Sequence, residues 1–139
     1  MTKPIVVGVD QSETARRAAF RAAELATALA APLHLVMAAS RGRADGMATE
    51  TGHHVDWLAG AEQFLDALMG ELKVAEVTGS VVSEDPATAM CDEADRLDAQ
   101  MIVVGNKRVQ GISRVLGAIA LDVARRASCD VLISDTTEE

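Results

Sequence analysis

The stretch Val103–Ala120, VVGNKRVQGISRVLGAIA, begins as a buried strand, passes through a loop and ends as a helix. Gly105 and Gly111 lie in the loop with three cations, Lys107, Arg108 and Arg114, and Gly117 opens the helix. A strand that feeds a helix through a glycine-bearing loop is a building unit of α/β folds. Glycine backbone can also approach a phosphate closely, and a helix N-terminus favours an anion. One stretch therefore indicates both the fold and the place to look for a ligand.

Working outward, the same alternation recurs along the chain. Five short apolar runs read as strands: Pro4–Val9, Leu33–Ala39, Val77–Ser83, Gln100–Val104 and Val131–Ser134. The first, PIVVGV, has no polar position, as expected of a strand covered on both faces. Four helical patterns separate the runs. Ser12 is placed to cap the first, in which Ala15, Ala18, Ala22, Leu25 and Leu29 form an apolar face opposite Arg16, Arg17, Arg21 and Glu24. Asp56–Leu72 sets Trp57, Ala61, Phe64, Leu65 and Leu68 on one side. Asp85 and Pro86 form a helix start, with Met90, Ala94 and Leu97 facing inward. Gly117–Ala127 is the fourth helix, with Ile119 and Val123 inward. Residues 40–55 read as a loop and Thr136–Glu139 as a polar tail. The pattern predicts one α/β domain over residues 1–139, with an open parallel sheet and helices on both faces. No internal repeat interrupts it.

Composition narrows the function. Of 139 residues, 49% are hydrophobic, 24% charged and only 2% aromatic, so aliphatic side chains and methionine must fill the core. The net charge of −8 argues against a nucleic-acid surface and against anionic membranes. The basic loop at 107–114 stands out against that background as a place for a small anion. The N-terminal apolar run is too short for a signal peptide, and no run reaches the roughly 18 residues of a membrane span. A cytoplasmic protein with two reduced, buried thiols, Cys91 and Cys129, is the expectation.

In an open parallel sheet, ligands bind beyond the carboxyl ends of the strands where the strand order reverses. For the order 3-2-1-4-5 that point lies between the first and fourth strands. Val9–Asp10 and Gly105–Asn106 would then face one crevice beside the start of the last helix. Asp10 is suited to accept hydrogen bonds from ribose hydroxyls or an adenine amino group. It is equally suited to serve as a turn or cap residue between strand and helix.

Three segments, IVVGVDQSETARRA, SEDPATAMCDEADRLDAQMIVVGN and RVLGAIALDVARRASCDVLIS, resemble the universal stress protein family in the same order and over nearly the whole chain. The resemblance implies a Rossmann-like sheet of order 3-2-1-4-5. It also implies a homodimer through the C-terminal strand and, in some members, binding of ATP or cyclic AMP. Nucleotide-binding members carry G-x2-G-x9-G-[ST]. Gly105 and Gly117 match the outer glycines with a spacer one residue short. Arg108 stands in place of the middle glycine, and Ala118 in place of the hydroxyl residue. Gly8, Val9 and Asp10 match the base and ribose segment, Ala38 the base-pocket position after strand two, and Val104 the apolar residue before the first glycine. Gly105, Lys107, Arg108, Gly117 and Ala118 would surround any phosphate, and Ile119 is counted with the nucleotide-binding residues.

The expectation is a non-catalytic stress-response protein with a degraded adenine-nucleotide pocket, taking ATP, AMP or cyclic AMP. The alternative is an interaction protein of the same fold that binds no nucleotide and engages a protein partner the sequence does not identify. No metal is expected. His53 and His54 are adjacent in the chain and read as solvated loop residues. His34 reads as a partnered or half-exposed strand residue, and Cys91 has no histidine near in sequence to make it a nucleophile. A receiver domain is disfavoured because Asp10 has no acidic neighbour and Glu84–Asp85–Pro86 reads as a helix cap after the third strand.

Overall fold

The computed structural model describes residues 2–38, 53–106 and 116–136. Among the described residues, five strands alternate with four helices. They are β1 (Ile5–Val9), α1 (Glu13–Leu29), β2 (Leu33–Ala38), α2 (His53–Glu71), β3 (Val77–Val82), α3 (Pro86–Leu97), β4 (Met101–Asn106), α4 (Ala118–Arg126) and β5 (Asp130–Asp135). The strands form one sheet of order β3-β2-β1-β4-β5, and every neighbouring pair is parallel. This is the order and architecture expected.

Alternation along β1 explains why helices cover both faces. Ile5, Val7 and Val9 enter a core with α1 and α2, and Val6 enters a second core with α3 and α4. All four of these valines and isoleucines are almost fully buried. Alanine dominates the sheet-facing side of α1, where Ala18, Ala19, Ala22 and Ala26 are completely buried. Small side chains let this helix lie close to the strands. Leu29, expected on that face, is instead 44% exposed because the helix ends there, and Ala26 takes the inward position.

Local signals set the helix limits. Ser12 caps α1 by accepting from the Ala15 amide at 3.1 Å, and Asp85 caps α3 by accepting from the Thr88 amide at 3.1 Å, with Pro86 in the first turn. Both helices end on a left-handed residue, Ala30 and Asp98, each with φ of 53°. Helix α2 starts at His53, three residues before the expected Asp56, so both histidines belong to its backbone. Strand β4 extends to Asn106, two residues past the expected Val104. Thr136, expected in a polar tail, is buried, and its amide donates to the Asn106 carbonyl at 3.2 Å. Ile119, expected inside, is 43% exposed, whereas Ala120 and Val123 form the buried face of α4. The Trp57 side chain and residues 107–115 lie outside the described residues.

One polar group is built into the second core. His34 is 6% exposed and sits between β3 and α3. Its Nδ1 lies 2.7 Å from the Thr78 hydroxyl, and its Nε2 lies 3.1 Å from both Ser80 Oγ and Glu93 Oε2. A carboxylate only accepts, so Nε2 carries the proton toward Glu93 and Nδ1 accepts from Thr78. Glu93 is held in turn by Arg96 at 2.7 Å. The network ties α3 to β2 and β3 and satisfies every ring nitrogen, which matters because a buried polar atom without a partner costs about 1–3 kcal/mol.

Burial lowers the His34 pKa below the ordinary histidine value, against the opposing pull of Glu93. The unfolded chain therefore binds a proton at a pH where the folded chain does not. Folding stability is expected to fall as pH drops below about 6.5, down to the folded pKa of this residue. Urea unfolding of the wild type and of His34→Gln between pH 7.5 and 5 checks this. The variant should show a flatter dependence in that window, and an unchanged slope would contradict the assignment.

Candidate functional site

Beyond the carboxyl ends of β1 and β4, where the strand order reverses, lies a cavity of about 200 Å³. Seven residues anticipated from sequence line it: Gly8, Val9 and Asp10 from β1 and its exit, Ala38 from β2, Val104 and Gly105 from β4, and Ile119 from α4. Gly117 and Ala118 stand beside them at the start of α4. Lys107 and Arg108 lie outside the described residues. The structure adds contributors that the sequence did not assign to this site: Ser12, the cap of α1, Thr14 and Ala15 from α1, Val36 from β2, and Pro86 and Met90 from α3. The inward periodicity of α3 marked Met90 as core. Only the sheet order places it at this crevice.

The glycines here serve close packing. None has a φ in the left-handed region. A Cβ on Gly105 would lie 3.0 Å from the Thr14 carbonyl oxygen and 3.2 Å from the Ala18 Cβ. Gly105 thus lets α1 approach β4 backbone to backbone. A Cβ on Gly8 would collide with the Met90 thioether and lie 3.0 Å from its Cγ. Space left by the missing side chain is filled from the opposite wall. These contacts account for Gly8 and Gly105 without a phosphate.

Polar groups ring the mouth. Asp10 Oδ1 accepts from the Ser12 amide at 2.7 Å, so the turn role foreseen for this residue is real. A carboxylate has about four lone-pair sites, so one such bond leaves capacity for a ligand. Across the crevice, Asn106 Oδ1 accepts from the Gly117 amide at 2.6 Å. Gly117 is the N-cap of α4 and has no side chain to bond its own helix. Asn106 thus takes up one of the N–H groups at the helix start, leaving the amides of the first turn facing outward with the positive end of the dipole.

The remaining candidates fall away from this place. Burial pushes the thiols of Cys91 and Cys129 up, away from the reactive thiolate, and both are free. His34 is consumed by its network on α3. Among the described residues, no group of three or more His, Cys, Asp or Glu is arranged to hold a metal ion, and no helix is long and apolar enough to cross a membrane.

The packing account of Gly105 has a direct test. Gly105→Ala forces α1 from β4 and should destabilise the ligand-free protein by about 1–3 kcal/mol in urea unfolding. A stability equal to wild type would remove the packing explanation.

Comparison with known proteins agrees with this geometry. Residues 1–134 match the description of the Universal stress protein family. Universal stress protein Rv1636 of Mycobacterium tuberculosis is 32% identical over 146 residues, covering 97% of each chain. A crystal structure of a universal stress protein in complex with cAMP superposes with a TM-score of 0.70 at 28% identity, over 97% of this chain and 98% of that one. The universal stress protein from Archaeoglobus fulgidus in complex with dAMP shares the fold, with a TM-score of 0.68 at 24% identity over 94% of this chain and 96% of that one. A match that runs almost end to end leaves one assignment: the chain belongs to the universal stress protein family.

Proposed function

We propose that this protein is a non-catalytic, cytoplasmic stress-response protein that binds the adenosine portion of an adenine nucleotide in the crevice between β1 and β4. The observation that carries the proposal is the cavity itself, where two segments nearly a hundred residues apart bring Asp10 and an apolar floor together. Val9, Ala38 and Val104 would pack on the base. Asp10 would accept from the ribose hydroxyls, with Gly8 and Gly105 lining the crevice beside it. Gly117, Ala118 and Ile119 would meet the phosphate, with Lys107 and Arg108 supplying positive charge. The cAMP complex of a 28% identical relative supports an adenine nucleotide as the ligand class.

The phosphate side is the weaker half. Ala118 brings no hydroxyl, and the Gly117 amide is already bonded to Asn106. A cavity of about 200 Å³ is also below the roughly 300–1,000 Å³ common for ligand sites. Both features favour AMP or cyclic AMP over tightly held ATP. The same features favour a second reading, an interaction protein whose crevice stays empty.

Calorimetric titration with ATP, AMP and cyclic AMP decides between them. Binding should be seen for at least one nucleotide and should weaken roughly tenfold to a hundredfold in Asp10→Ala, the loss of a charge-assisted hydrogen bond. Absence of heat with all three at millimolar concentration would leave the interaction reading.

We also propose a homodimer through the C-terminal strand. Among the described residues β5 is an edge strand that pairs only with β4, and Leu132 and Ile133 are only half-buried. Beside it runs an open groove of about 640 Å³ toward Arg16, Phe20 and Arg21 of α1. An unpaired strand edge next to half-buried apolar residues is a surface that association would cover. Sedimentation equilibrium at micromolar protein should return twice the chain mass of 14.6 kDa, and a monomer mass would overturn the proposal.

A further inference from the structure

We infer that Met90 sets the depth of the crevice and with it the largest ring system the site accepts. Most of the cavity wall is fixed. Val36 and Val104 belong to interior strands, Gly8 and Gly105 have no side chain, and Pro86 is a rigid ring at the first turn of α3. Ile119 stands at the mouth, 43% exposed. Met90 alone among these reaches into the floor with an unbranched, flexible side chain, and it is 3% exposed. Its thioether occupies the volume a side chain at position 8 would fill, since a Cβ there would lie 2.8 Å from the Met90 Cε and nearer still to the sulfur. The space available to a ligand is what remains after methionine has covered Gly8.

Two consequences follow for recognition. The deep end of the site presents a polarisable sulfur, which suits the face or edge of a planar heteroaromatic ring. It also presents a stop, so a ring carrying an extra bulky substituent at its buried edge meets the methionine. The nucleotide reading supplies the identity of the ring, adenine, and the size limit rests on that reading only in this respect.

The experiment compares wild type, Met90→Ala and Met90→Leu, each first shown to be folded by circular dichroism. Two ligand series are titrated by ligand-observed NMR: AMP with its N6-, C2- and C8-benzyl derivatives, and benzimidazole with its benzyl derivatives. Wild type and Met90→Leu should take the parent rings and reject the benzyl forms. Met90→Ala should gain roughly tenfold or more for at least one benzyl form, in keeping with what one or a few methylene-sized groups contribute in an apolar pocket. Should Met90→Ala fail to fold, Met90→Val, which keeps some apolar volume on a β-branched stub but loses the reach over Gly8, makes the same comparison. If AMP binds and the variant leaves the selectivity unchanged, the depth assignment falls and the nucleotide reading stands. If AMP does not bind but the benzimidazole series shows the switch, the nucleotide reading falls and the depth assignment stands. Failure of both series to bind any of the proteins overturns both.

Discussion

The constraint on which everything else depends is that β1 must be buried on both faces. Its residues alternate between two cores, and neither side can be left to water without exposing valine or isoleucine. Helices must therefore arrive on opposite faces, α1 and α2 on one side and α3 and α4 on the other. Right-handed crossovers can meet that demand only if the chain runs one way from β1 to β2 and β3 and the other way to β4 and β5. The crevice is the gap that this reversal leaves. It results from covering the sheet, and the groups that line it are what the strand ends happen to bring there.

That logic explains why the architecture was legible before any coordinates. An unbroken apolar run, an alanine stripe with arginines opposite, and an Asp-Pro start each carry their meaning locally. Ser12 and Asp85 cap as their side-chain chemistry requires. What escaped the local reading depended on distant neighbours. Ile119 fits an inward helical period, but α4 is short and its sheet-facing side is satisfied by Ala120 and Val123, so Ile119 turns to the crevice. Thr136 is polar in the sequence, yet β5 continues beside the extended β4 and draws it under cover. His34 could be read as partnered, but its partners on β3 and α3 are 44 to 59 residues away.

The site was legible in part for the same reason. The residues after β1 and β4 were found because the rule for switch points concerns topology. Glycine was the less reliable guide. Gly105 fits a phosphate-binding signature and Gly8 a base and ribose segment, but their surroundings show each accommodating a packed neighbour, Thr14 in one case and Met90 in the other. The contribution of α3 had no signature at all, since proline at a helix start and methionine on an apolar face are ordinary features.

The close approach of α1 to β4 at Gly105 has a mechanical corollary. On that side of the crevice two backbones are in near contact, and nothing there can yield. Facing it is an unbranched thioether on α3, a helix also tied to β2 by the Glu93–His34 bond. The hollow is thus walled by an anvil on one side and a cushion on the other. The side with room to adjust is therefore the α3 side, and α3 is joined through Glu93 to His34 of β2 and Ser80 of β3.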